Sequence, residues 1–122
     1  MHKDNYVSIW IGNLDSIHAL NSYVLNRYSL DGEYEGSIFS NTFNIDFIDD
    51  DFVEKDFFNL NDDLNIILEG FSYDERILKE IKLKGLKLPF PINSIILVYN
   101  YLFEMQGKRT EQVEFLCTVP YR

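Results

Sequence analysis

The sequence predicts an α+β fold: helices packed against a small mixed or antiparallel sheet that ends in a C-terminal hairpin. Three observations carry the prediction. Tyr6 to Ile11, Ile92 to Phe103 and Arg109 to Val119 alternate with the two-residue period of a strand. Gln106-Gly107-Lys108 has the chemistry of a tight turn between the last two, so the final strand is expected to return antiparallel on the one before it. Helical spacing follows Asp15 and again Ser72. A chain of 122 residues suits one domain spanning 1–122, and an apolar content of 46% supplies its core.

Taken in order, the first strand sets Val7, Ile9 and Ile11 on one face and Tyr6, Ser8 and Trp10 on the other. Large side chains on both faces mark an inner strand covered by helices. Trp10 is expected to be buried or at a cleft rim, beside Tyr99 or Tyr101. Gly12-Asn13 ends the strand, with Gly12 supplying a backbone conformation that other residues tolerate poorly. Asp15 is placed to cap a helix carrying Ile17, Leu20, Val24 and Tyr28. Asp31-Gly32 signals a turn and opens an exposed loop, DGEYEGS.

The middle of the chain has mixed signals. Ile38, Phe39 and Phe43 share a face of a short helix stopped by Asn44, and residues 44–48 suit a brief extended piece. Asp50 or Asp51 is placed to cap another short helix carrying Phe52, Val53 and Phe57. Two helical turns over Asp62 to Leu68 end at Gly70. Ser72-Tyr-Asp-Glu75 has the form of a capping box before Ile77, Leu78 and Ile81, and Gly85 closes that helix. Ile95 to Phe103 is the expected central strand. Val113, Phe115, Cys117 and Val119 are expected on one face of the last strand.

Charge narrows the functional classes. The formal net charge is −9, but residues 31 to 75 hold fourteen acidic residues against Lys55 alone, a balance of −13. Residues 1 to 30 balance at zero and residues 76 to 122 carry +4. Such a block repels nucleic acid and acidic membranes and speeds encounter with a basic protein. The lone Cys117 permits no internal disulfide, no apolar run approaches 18 residues, and no leader is evident. A soluble, cytoplasmic protein is the expectation.

Catalytic motifs fail on spacing. After Gly12 comes NLDSI, which offers neither the glycines of a dinucleotide fold nor the GK[ST] of a P-loop, and Asp15 would sit where a phosphate belongs. His2 and His18 with Cys117 cannot assemble a zinc site. A calcium loop starting at Asp46 would place Ile48, Asp51 and Phe57 where a polar ligand, glycine and glutamate are needed. Ser72 and Ser94 lack a nucleophile elbow. No catalytic residue, cofactor or metal is therefore expected. A small acidic hydrolase and a calcium-dependent module stand as the rival classes.

The segments VSIWIGN, the helix up to Tyr28, DGEYEGSIFSNTFNI, DDDFVE, EGFSYDE and NSIILVYNYLF, in this order and spacing, resemble the immunity protein 22 family. Those are small bacterial proteins grouped with polymorphic and contact-dependent toxin systems. The resemblance implies a non-catalytic inhibitor that binds and neutralises a cognate toxin domain. It does not fix the toxin's chemistry, for which a basic nuclease is one expected class, and the acidic balance argues against nucleic acid or membrane as partner. The residues expected to meet the toxin are Asp49, Asp50, Asp51 and Glu54, in the DDDFVE segment, with Tyr34 and Glu35 from the polar loop before it. Reversing the four acids together to Lys is expected to slow association without disturbing the fold.

Overall fold

A computed structural model describes residues 1–105, 110 and 112–122. In chain order it contains β1 (His2–Gly12), α1 (Ile17–Val24), β2 (Arg27–Tyr28), β3 (Tyr34–Gly36) and α2 (Ile38–Thr42). A 3₁₀ turn (Asp50–Phe52), β4 (Val53–Asn61), α3 (Leu64–Ile67), α4 (Asp74–Leu83), β5 (Ile92–Tyr101) and β6 (Val113–Pro120) follow. The main sheet has the order β4-β5-β1-β6 with every neighbouring pair antiparallel, and β2 and β3 form a separate two-stranded ribbon.

The α+β class holds, and the first strand is an inner one. Its Val7, Ile9 and Ile11 side chains join Ile95, Leu97 and Tyr99 under Ile67, Ile77 and Ile81 of α3 and α4. On the opposite face Trp10, Ile96, Val98 and Phe115 meet Leu20 and Tyr23 of α1 and Phe39 of α2, together with Phe43 just beyond it. Helices thus cover both faces, which is why the inner strands carry large apolar residues at consecutive positions.

The two C-terminal strands both enter the sheet, but they do not pair with each other. Both are antiparallel to β1, which lies between them, so β5 and β6 run parallel. The chain therefore has to return the length of the sheet after Tyr101. Its exit is held by polar groups: Leu102 N donates to Met1 O at 2.8 Å, Phe103 N to Ser8 Oγ at 3.1 Å, and Thr118 Oγ1 to Phe103 O at 3.0 Å. Ser8, fully buried, also donates to Tyr101 O at 2.8 Å, so its hydroxyl has partners where desolvation alone would be costly. The turn expected at Gln106-Gly107-Lys108, with Arg109, lies outside the described residues.

Bulges explain two wrong face assignments. The register between β1 and β6 shifts between Ile9↔Cys117 and Trp10↔Phe115, leaving Leu116 as an extra residue in β6. Val113 and Phe115 therefore pack with Trp10, whereas Cys117 and Val119 pack with Ile9. A second shift separates His2↔Tyr101 from Val7↔Tyr99, so Tyr99 and Tyr101 fall on different faces. Trp10 is fully buried as expected, but its ring neighbours are Phe39, Phe43, Phe103 and Phe115, at centroid distances of 4.8 to 5.8 Å.

Other local corrections have local causes. Ser16, not Asp15, caps α1, its Oγ accepting from Ala19 N at 3.0 Å. The helix stops at Val24, and Tyr28 belongs to β2. Gly12 is required by proximity rather than by an unusual dihedral: a Cβ there would meet Gln112 O at 2.2 Å. No helix carries Phe52, Val53 and Phe57. Asp49 caps the 3₁₀ turn, and Val53 and Phe57 lie in β4, an edge strand whose polar positions hid it. No strand forms over residues 44–48. The Ser72 capping box is absent, because Tyr73 occupies the cap position and the Ser72 hydroxyl is bonded to Glu54.

Candidate functional site

The acidic block does not gather on one face. It runs from the β2–β3 ribbon beside α2, through residues 46–52, across edge strand β4 and onto the α3–α4 side. Where it passes the end of the sheet that holds His2 and Tyr101, it borders a groove of about 480 Å³. The groove is lined from five places: Asp4 and Asn5 of β1, Asp51, Phe52 and Glu54, Ser72-Tyr73, Tyr99-Asn100 of β5, and Tyr121-Arg122.

Three hydrogen-bonded units hold the walls. Glu54 spans from β4 to the α3–α4 junction: Oε1 accepts from Ser72 N at 2.9 Å and from the Tyr99 hydroxyl at 3.2 Å, and Oε2 accepts from the Ser72 hydroxyl. The single Tyr99 hydroxyl proton is shared between Glu54 and Ser72 O, the nearer acceptor at 2.7 Å. Burial, and then the Glu54 charge beside it, push the Tyr99 hydroxyl far above its ordinary pKa, so it stays a donor. In the second unit Asn100 Oδ1 accepts from Asn5 N at 3.0 Å and from Tyr121 OH at 2.6 Å, and Tyr121 N donates to Asn5 O at 2.9 Å. In the third, Arg122 donates to Tyr73 OH at 2.8 Å, and its guanidinium lies 5.4 Å from the Tyr73 ring and 5.9 Å from the Tyr121 ring.

Backbone strain converges on the same groove. Asn5, Tyr73 and Asn100 have φ of 70°, 61° and 58°. Asparagine accepts this region readily, but for a bulky side chain such as tyrosine it costs about 1–2 kcal/mol. What holds Tyr73 there is its surroundings: Asp74 Oδ2 accepts from Gly70 N at 3.0 Å, and the Tyr73 ring packs 4.8 Å from that of Tyr121.

The six residues singled out from the sequence are not all brought together. Asp51 and Glu54 line the groove. Asp49 borders a neighbouring hollow with Phe47 and Phe52, its Oδ1 accepting from Asp51 N at 2.9 Å. Asp50 and Tyr34 are joined through Asn26, which donates to Asp50 Oδ1 at 2.9 Å and accepts from Tyr34 OH at 3.1 Å. Glu35 stands apart on β3, exposed, in the ribbon. Glu54 is half-buried and structurally engaged, so its reversal to Lys cannot leave the fold undisturbed. Sequence reading missed Tyr73, Tyr121 and Arg122 altogether; their only signal was tyrosine abundance. Among the described residues no group of three or more His, Cys, Asp or Glu side chains is placed to hold a metal, and no helix is long and apolar enough to cross a membrane.

Exposed aromatics continue the groove into a strip. Tyr28 lies 5.7 Å from Tyr34, and Tyr34 lies 5.0 Å from Phe47. Phe47 shares its hollow with Phe52, which shares the groove with Tyr73. Tyr28, Phe47, Phe52 and Tyr73 are each more than 40% exposed. Fold and site together define a sheet with helices on both faces, carrying an aromatic strip interleaved with carboxylates. The chain belongs to the immunity protein 22 family, whose model matches residues 7–122. Family membership assigns it an immunity role in general, with a toxin as the general class of partner. Comparison with curated proteins and with solved structures gave no match.

Proposed function

We propose that the chain is a non-catalytic cognate immunity protein that binds a basic toxin domain in the cytoplasm and occludes its working surface. The observation that carries this reading is the strip itself. Exposed Phe47, Phe52 and Tyr73 lie with Asp49, Asp51 and Glu54 in the two hollows at the end of the sheet, and Tyr28 continues the strip through Tyr34. Protein interfaces draw most of their energy from a few aromatic and arginine anchors, while charges around them set approach and register. Acidic charge interleaved with such anchors suits a partner whose own surface is basic, as a nuclease's must be to hold nucleic acid.

Asp49, Asp50, Asp51 and Glu54 have distinct roles in this reading. Asp51 and Asp49 present charge at the two hollows, while Asp50 and Glu54 mainly hold the 3₁₀ turn and the α3–α4 junction in place through Asn26 and Ser72. Tyr34 supports Phe47 from behind. Glu35 contributes to the general field only. The test is co-expression with the cognate toxin domain. Protection should be complete with the wild-type chain and lost with Phe47→Ala/Phe52→Ala, a pair of exposed positions whose truncation spares the core. Full protection by that double variant would move the interface elsewhere.

A further inference from the structure

The groove beside Glu54 already holds a cation: the chain's own Arg122. Its guanidinium lies over the Tyr73 and Tyr121 rings and bonds the Tyr73 hydroxyl, while Asp4, Asp51 and Glu54 line the same hollow. Among the described residues no carboxylate forms a salt bridge with it. A guanidinium held by ring faces and one hydroxyl, in a hollow lined by carboxylates it does not pair with, is a displaceable occupant.

We infer that this groove is a recognition site for an arginine or lysine side chain of the partner, and that Arg122 is an intramolecular stand-in which the partner's cation displaces. Tyr73 and Tyr121 supply ring faces, whose negative quadrupole attracts a cation within about 6 Å. Asp51, and Asp4 beyond its bond to His2, supply the carboxylate charge that Arg122 does not pair with. Glu54 and Tyr99, bonded to each other and to Ser72, form a wall that does not have to rearrange. The left-handed Tyr73 has its cause here: an unstrained residue at that position would present no ring. The inference rests on the proposed function for the identity of the partner, but the chemistry of the site can be tested without the toxin.

The probe is a blocked tetra-arginine peptide titrated into the full chain, with tyrosine ring resonances and calorimetry as readouts. The rings of Tyr73, Tyr99 and Tyr121 should shift first. Arg122→Ala should bind the peptide about three- to ten-fold more tightly than Lys87→Ala, which makes the same change in net charge on the far side of α4. Tyr73→Gly leaves the net charge unchanged and suits the left-handed backbone, so it should unfold cooperatively yet bind about three- to ten-fold more weakly. Equal affinities for the Arg122 and Lys87 variants, undiminished binding by Tyr73→Gly, or shifts spread evenly over the acidic belt would each overturn the inference. With the toxin domain as ligand the same order of variants is expected. A toxin that fails to bind the wild type while the peptide keeps this order would sink the proposed function and leave the cation groove standing.

Discussion

Replacing Trp10 with Ala tests whether the aromatic layer between the sheet and α1–α2 is the main tertiary support of that face. The indole is fully buried and lies edge-on or tilted against four phenylalanine rings, the nearest being Phe39 at 4.8 Å and 89°. Truncating a buried Trp costs about 3–5 kcal/mol in lost transfer energy and residual cavity. That is a large part of the roughly 5–15 kcal/mol that holds an ordinary domain folded. Trp10 Nε1, however, has no hydrogen-bond acceptor among the described residues, and a buried unsatisfied donor costs about 1–3 kcal/mol. Trp10→Phe removes that donor along with part of the ring, so it should lose less than about 2 kcal/mol. The assay is urea unfolding followed by far-ultraviolet circular dichroism, because Trp10 is the only tryptophan. At a slope of about 1.5 kcal/mol per molar, the Ala variant should lose about 2–3 M in midpoint with little change in slope. A loss below about 1 kcal/mol for Trp10→Ala, or equal losses for the Ala and Phe variants, would refute the reasoning.

Cys117 should resist thiol reagents at pH 8 in the native chain and react only on unfolding, since burial pushes its pKa up from 9.0 to about 12. The raised value has a sign: the folded chain keeps a proton that the unfolded chain releases. Its contribution is therefore intact below pH 9 and is lost as pH climbs from 9 towards 12, by about 1.4 kcal/mol per pH unit. Urea midpoints measured from pH 7 to 11 should fall accordingly, more so above pH 10, where burial also holds Tyr99 and Tyr101 protonated; a flat profile would contradict this. Glu54→Ala should cost about 2 kcal/mol by urea unfolding, because it strips the carboxylate acceptor from Ser72 N and from the Ser72 hydroxyl at once, while Tyr99 OH keeps Ser72 O. A neutral result would mean that the α3–α4 junction is held by apolar contacts alone.

Much of the sheet was legible in the sequence because its inner strands are covered on both faces. Runs such as Val7 to Ile11 and Ile95 to Tyr99 have no other use for so many large side chains. The order of the strands was not legible. Nothing local in β5 and β6 reports that β1 is threaded between them; the device that permits it is a buried polar relay through Ser8 and Thr118, over a hundred residues apart. β4 was hidden because an edge strand needs little hydrophobic alternation, and VEKDFFNLN reads as well for a helix or loop. Bulges at Leu116 and around Asn5 and Asn100 broke the period-two extrapolation. The acidic half of the site was visible as composition, since charge adds along the chain whatever the fold. The groove was not, because Asn5, Tyr73, Tyr99 and Tyr121 are brought together only by the sheet register and a left-handed turn.

Asp49, Asp50 and Asp51 together allow the central claim to be tested while Glu54 keeps its structural bonds, provided circular dichroism and the urea midpoint show the fold in place without the Asp49 cap and the Asp50–Asn26 bond. The measurement is the association rate of the chain with its cognate toxin domain, from about 0.02 to 0.5 M salt, for the wild type and for Asp49→Lys/Asp50→Lys/Asp51→Lys. If the acidic strip steers a basic toxin onto the aromatic anchors, the wild-type rate falls at least about ten-fold across that range. The reversed variant should then be slower at low salt and nearly flat. Rates that are equal in both proteins and unmoved by salt would contradict the account.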